Sequence, residues 1–130
     1  MRQLLDTQVA IWALTNTRRL GVEILSRIGD ESEEAFVSAV TIWEIAIKYP
    51  LGKRLGAPPF SATTALKNFS EAGFLYLDVT PNHAAFVETL PPIHADPFDR
   101  LLVAQALFEP MRLITADSTL AKYGPLVWLI

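Results

Sequence analysis

A chain of 130 residues has the length of one ordinary domain and no room for two, and at 51% hydrophobic and 19% charged it has ample apolar material for one core. It contains no cysteine, which removes disulfides, thiolate zinc sites and a cysteine nucleophile together. A formal charge of -3 excludes a grip on nucleic acid by overall basicity, and the lack of a signal-peptide core or of an apolar run near the ~18 residues that span a bilayer predicts a soluble cytoplasmic protein with no membrane partner.

Strand and helix patterns alternate along the chain without a repeat or linker. Gln3 to Leu5 is predicted as a short strand stopping at Asp6, and Thr7 to Leu14 as a helix with Val9, Ile11, Trp12 and Leu14 apolar. A second helix is expected over Val22 to Ile28, then a solvated acidic turn through Asp30, Glu31, Glu33 and Glu34, then a strand from Ala35 to Ser38. From Thr41 the period is helical, with Glu44 alone among Ile42, Trp43, Ile45, Ala46 and Ile47. Pro50, Gly52, Gly56, Pro58 and Pro59 make residues 50 to 60 a surface connection, after which Ser61 caps a helix through Ala72 with Ala65, Leu66 and Phe69 inward. Phe74 to Val79 alternates as a third strand. Thr80-Pro81 then opens a helix that runs to about Leu90, and Pro91-Pro92 ends it. Asp96-Pro97 opens another to about Glu109, with Leu101, Leu102, Ala104, Gln105 and Leu107 on or near its buried side. Arg112 to Thr115 is a fourth strand, Asp117 to Lys122 a short helix and Val127 to Leu129 a last strand at the sheet edge.

Short strands separated by helices require crossover connections, hence a three-layer α/β fold: a mostly parallel sheet with helices on both faces. Ligands of such sheets bind beyond the carboxyl ends of the strands. Asp6 follows the first strand, Asp117 follows the fourth, Asp99 opens the helix before it, and Glu44 lies about one turn into the helix after the second. All four can share one rim. Gathered carboxylates raise one another's pKa and oppose folding unless hard cations neutralise them, and oxygen-only donors favour Mg2+ or Mn2+. A site of that kind with open positions implies hydrolysis of a phosphodiester.

Each acid also has a structural use. Asp6, Asp96 and Asp117 stand where helix caps stand, Asp96 and Asp99 could form a capping pair, and Glu44 could bridge to Lys48 four residues on. Asp96 is assigned to the cap and Asp99 to the metal. Lys48, Lys53, Arg54 and Lys67 form a basic island that either tracks an RNA backbone or is surface scatter. Arg100 could contact phosphate or an acid, with a structural role favoured. Trp12 and Trp43 could stack on bases, but their apolar neighbours point to core or dimer packing. His83 and His94 have no second nitrogen ligand at metal spacing, which speaks against zinc or a triad, although His94 stands near enough to Asp96 to touch substrate. No glycine-rich phosphate loop occurs.

Leu4-Leu5-Asp6-Thr7, Ser38-Ala39-Val40-Thr41-Ile42-Trp43-Glu44-Ile45, Asp96-Pro97-Phe98-Asp99-Arg100-Leu101-Leu102 and Thr115-Ala116-Asp117, in that order, resemble a PIN domain, specifically the VapC toxins of bacterial toxin-antitoxin pairs. The resemblance covers nearly the whole chain. It matches Asp6, Glu44, Asp99 and Asp117 to the family's acidic quartet and Thr115 to the hydroxyl residue that helps place an acid or a water. It implies a five-stranded sheet of order 3-2-1-4-5, endoribonuclease activity on structured RNA with one or two Mg2+, a homodimer, and a small VapB-like antitoxin covering the active site. Asp6 and Asp99 would hold the principal metal, Glu44 and Asp117 would complete the shell or orient water, and Thr115 would support them. A magnesium-dependent phosphatase or receiver-type domain would also place an Asp after its first strand, but Gln8 stands where the phosphatase needs a second Asp. A non-catalytic RNA- or protein-binding module on the same fold is favoured if the carboxylates prove dispersed or salt-bridged.

Overall fold

Leu4 and Leu5 are neighbours in the first strand, so they point to opposite faces, and each belongs to a different apolar core. The computed structural model describes residues 1–52 and 56–130. Lys53 and Arg54 of the expected basic island lie outside the described residues. The strand β1 (Gln3–Leu5) pairs with β2 (Ala35–Ser38) on one side and with β4 (Arg112–Thr115) on the other. β3 (Leu75–Leu77) lies outside β2 and β5 (Val127–Leu129) outside β4, so the order is β3-β2-β1-β4-β5. All these pairings are parallel, where a mostly parallel sheet was predicted.

The helices are α1 (Thr7–Thr15), α2 (Gly21–Ile28), α3 (Ala39–Lys48), α4 (Ala62–Glu71), α5 (Pro81–Phe86) and α6 (Pro97–Phe108). Register aligns Leu5 with Val37 and Ile114, and this face is covered by Val9 and Ile11 of α1, Ile24 of α2 and Phe69 of α4. Leu4 aligns with Phe36 and Leu113, and that face takes Leu102, Val103 and Ala106 of α6 with Phe86 of α5. α3 feeds both cores, Val40 entering the second and Ile45 the first. No helix among the described residues is long and apolar enough to cross a membrane.

Several expectations are corrected. β3 is shorter than Phe74 to Val79 because the Phe74 amide donates to Phe69 O and closes α4 instead of entering the ladder. The helix from Pro81 ends at Phe86 and continues as a 3-10 turn, Val87–Thr89, where Arg100 and the Leu90 amide both take the Val87 carbonyl. Leu120–Tyr123 is likewise a 3-10 turn, which leaves Asp117 outside it. α3 starts at Ala39, ahead of Thr41, because Ser38 caps it by accepting the Val40 amide. Leu66 is 49% exposed: Ala65 and Phe69, four apart, set the inward stripe and Leu66 is turned ~100° from it. Trp43 is 52% exposed and meets Phe98 edge-on, so it is no core residue. Glu33 is more than a wet-loop acid, since it accepts from Gln3 Nε2 at 2.7 Å and pairs with Arg27. Pro58, in the supposed surface connection, is buried.

Candidate active site

A parallel sheet presents all its strand carboxyl ends at one edge, so residues that follow β1, β2 and β4 arrive together. Asp6, directly after β1, caps α1: its Oδ1 accepts the Val9 amide at 2.8 Å. Its Oδ2 accepts the hydroxyl of Thr115, the buried last residue of β4. The same hydroxyl oxygen accepts the Asp117 amide at 3.0 Å, so Thr115 ties Asp6 to the Asp117 turn. Across the rim, the Thr7 and Thr41 hydroxyls bond at 3.0 Å and join α1 to α3.

Glu44, 7% exposed, receives Lys48 Nζ on Oε2 at 2.5 Å. The structural alternative for Glu44 is therefore realised, but for one oxygen: among the described residues, the buried Oε1 has no hydrogen-bond partner. Asp96 is the cap of α6, its Oδ1 accepting the Phe98 and Asp99 amides, and Asp99 stands in the first turn that this cap fixes. Asp117 Oδ1 accepts the Thr119 amide at 2.9 Å, while its Oδ2 lies 3.1 Å from His94 Nε2. His94 Nε2 is also 3.4 Å from Asp99 Oδ2, and one ligand atom from each of His94, Asp99 and Asp117 falls within a 4.8 Å group.

Asp6, Glu44, Asp99 and Asp117 all line one cleft of roughly 320 Å3, with Asp96, Lys48 and Gln8 beside them and Gly56 and Pro58 forming part of its wall. Thr115 supports the cleft through Asp6. Burial, then the charges of Asp96 and Glu44, push the Asp99 carboxyl up to about 7, with His94 opposing. Burial also pushes Asp6 up to about 6 against the lowering bonds from Thr115 and Val9, and Glu44 and Asp117 add to the rise. At Asp117 burial is outweighed by the Thr119 amide and His94, which hold it below the usual carboxylate range. At Lys48 burial is outweighed by Glu44, which raises the ammonium further.

A hard divalent cation fits this donor set. The donors are carboxylate oxygens, two of them resist ionisation because they are buried beside other acids, and Glu44 Oε1 has no partner among the described residues. Among the other candidates, Arg100 is structural: it donates to the carbonyls of Val87, Pro91 and His94 and to Tyr123 Oη. His83 is fully buried, caps α5 reciprocally with Thr80 and meets Glu109 at 2.5 Å, far from catalytic use. Trp12 packs against the first core. Sequence reasoning left His94 outside the acidic group, and it undervalued Pro58. The available signal for His94 was its place five residues before Asp99, ahead of a capped helix start.

The chain matches the PIN domain family over residues 4–125. It is 30% identical over 122 residues to Ribonuclease VapC22 of Mycobacterium tuberculosis (strain ATCC 25618 / H37Rv), a match covering 92% of this chain and 90% of that protein. Its fold is similar to a chain of VapBC2 from Rickettsia felis bound to a DNA fragment from their promoter, with a TM-score of 0.68 at 14% identity over 100% of this chain and 98% of that one. A chain of DNA-bound VapBC from Salmonella typhimurium also superposes, with a TM-score of 0.68 at 17% identity, covering 100% of this chain and 97% of that one.

Proposed function

The chain belongs to the PIN domain family, and from that premise we propose that it is a metal-dependent endoribonuclease, the cytoplasmic toxin of a VapBC-type toxin-antitoxin pair. One observation carries the reading: four carboxylates from four separate segments line one cleft, and two of them hold their protons far above the usual range. Mg2+, or Mn2+, held by Asp6 and Asp99 with Glu44 and Asp117 completing the shell or its hydrogen bonds, would supply Lewis-acid stabilisation of a phosphodiester and a bound water of lowered pKa.

The chain's own residues do the rest by placement. Thr115 fixes the rotamer of Asp6 and the Asp117 turn at once, so those two acids keep their relative position. The Asp96 cap fixes the turn that carries Asp99. Lys48 takes only Oε2 of Glu44 and adds a positive charge to the cleft, where a phosphate of the RNA would lie. Gln8 lines the cleft in the position where a phosphatase needs a second carboxylate, which favours a nuclease over that reading.

Trp43, Ile47, Tyr49 and Leu51 are exposed on and just after α3. That apolar surface is available to the homodimer and the small VapB-like antitoxin that this reading includes. Purified protein should cleave RNA with Mg2+, stop with EDTA, and lose cleavage by at least about a hundredfold as Asp6→Asn or Asp99→Asn while remaining folded. Release of phosphate from a phospho-substrate with RNA intact would favour a phosphatase instead, and cleavage undiminished by Asp99→Asn would overturn the assignment. Expression should arrest growth, and co-expression of the antitoxin should relieve it.

A further inference from the structure

His94 lies in the loop before α6, its side chain 19% exposed, and it is held from both ends. Its backbone amide donates to Tyr123 Oη at 2.9 Å, and Arg100 Nη1 donates to its carbonyl at 3.4 Å and to Tyr123 Oη at 3.3 Å. At the ring, the Asp96 amide donates to Nδ1 at 3.0 Å. A backbone N–H can only donate, so Nδ1 carries a lone pair and the proton of the neutral imidazole resides on Nε2. That Nε2 faces Asp117 Oδ2 at 3.1 Å and Asp99 Oδ2 at 3.4 Å.

We infer that His94 is a positioning residue of the cleft, an Nε2–H donor that holds Asp117 beside Asp99, and not a ligand of the metal. Its proximity to two acids is the arrangement of a ligand, but a ligand nitrogen needs a free lone pair pointing at the ion. Placing that lone pair on Nε2 moves the proton to Nδ1, where two donors would then face each other across 3.0 Å. The contact so broken belongs to Asp96, whose carboxylate caps α6 and fixes the turn of Asp99. Ligation by the ring would therefore loosen the carboxylate next to it, whereas donation satisfies both ring nitrogens and takes only one lone pair of Asp117 Oδ2, so the carboxylates keep lone pairs for the ion. Arg100 and Tyr123 act one step further out, anchoring the His94 backbone.

The catalytic consequence rests on the nuclease reading, but the state of the ring does not, and the two are tested apart. Long-range 1H–15N spectra of the 15N-labelled full chain at about pH 8, with the His94 signals assigned by their loss in His94→Gln, should show a protonated Nε2 and an unprotonated Nδ1, both without and with Mg2+. Movement of the proton to Nδ1 on adding Mg2+ overturns the inference, as does an Nδ1-protonated ring in the metal-free chain. In RNA cleavage, His94→Ala should lower kcat about 10- to 100-fold with little change in KM, and His94→Gln, whose amide can still donate, should recover most of it. A wild-type kcat in His94→Ala also overturns it. Should the unsubstituted chain cleave no RNA with Mg2+, the nuclease reading fails while the spectra still decide the role of the ring.

Discussion

Asp99 and Asp6 hold protons up to about 7 and about 6 because their charged forms are buried among other acids. Both values exceed the ordinary 3.8, so in metal-free protein the folded state binds more protons than the unfolded state between about pH 4 and 7. Stability contributed by these groups is therefore full at the acid end of that window and is lost as pH rises through it. Asp99→Asn removes one buried charge. In EDTA at about pH 8, urea unfolding should find the variant more stable than the parent by about 1–3 kcal/mol, with the gap closing near pH 4. A variant less stable at the higher pH would mean that attraction to His94, and not repulsion among the acids, governs this residue.

α1 and α3 start directly at strand ends, and the caps of the helices in this fold differ in how much depends on them. Ser61 caps α4 at the surface, accepting the Thr64 amide at 3.2 Å. Ser38 caps α3 in the interior, and its hydroxyl also donates to Gln105 Oε1 at 2.5 Å, tying α3 to α6. Removing the first hydroxyl exposes a helix end that water can serve, but removing the second leaves a buried amide oxygen and a buried N–H unpaired. Ser38→Ala should cost about 2–3 kcal/mol and Ser61→Ala about 1 kcal/mol or less by denaturant unfolding. Equal losses would show that the α3 to α6 bridge adds nothing beyond an ordinary cap.

At the scale of the whole molecule, folding brings like charges together and cation binding is coupled to both stability and proton release. Mg2+ should raise Tm because it binds the assembled cleft and not the unfolded chain. Protons compete for Asp6 and Asp99, so apparent Mg2+ affinity should fall as pH drops from about 8 to about 6, and calorimetry at these two values in buffers of different ionisation enthalpy should detect protons released on binding. Binding that is independent of pH, or that survives Asp99→Asn unchanged, would place the ion outside this cleft.

Local signals in the chain determined the bounds of β1, β2, β4 and β5, since short apolar strands bordered by cap residues and turns are defined within a few positions. The same signals put Asp6, Asp99 and Asp117 at helix starts or strand ends, and the resemblance carried by those segments supplied the strand order that the structure has. The helical period likewise offered Lys48 to Glu44 four residues back, and tertiary structure alone decided which carbonyls Arg100 clamps. It also placed His94 between Asp99 and Asp117, brought Pro58 into the cleft wall and left Trp43 and Leu66 in solvent. Helical period and capping act between residues a few places apart, whereas burial, charge coupling and a ring's tautomer depend on groups that only the parallel crossovers bring within bonding distance.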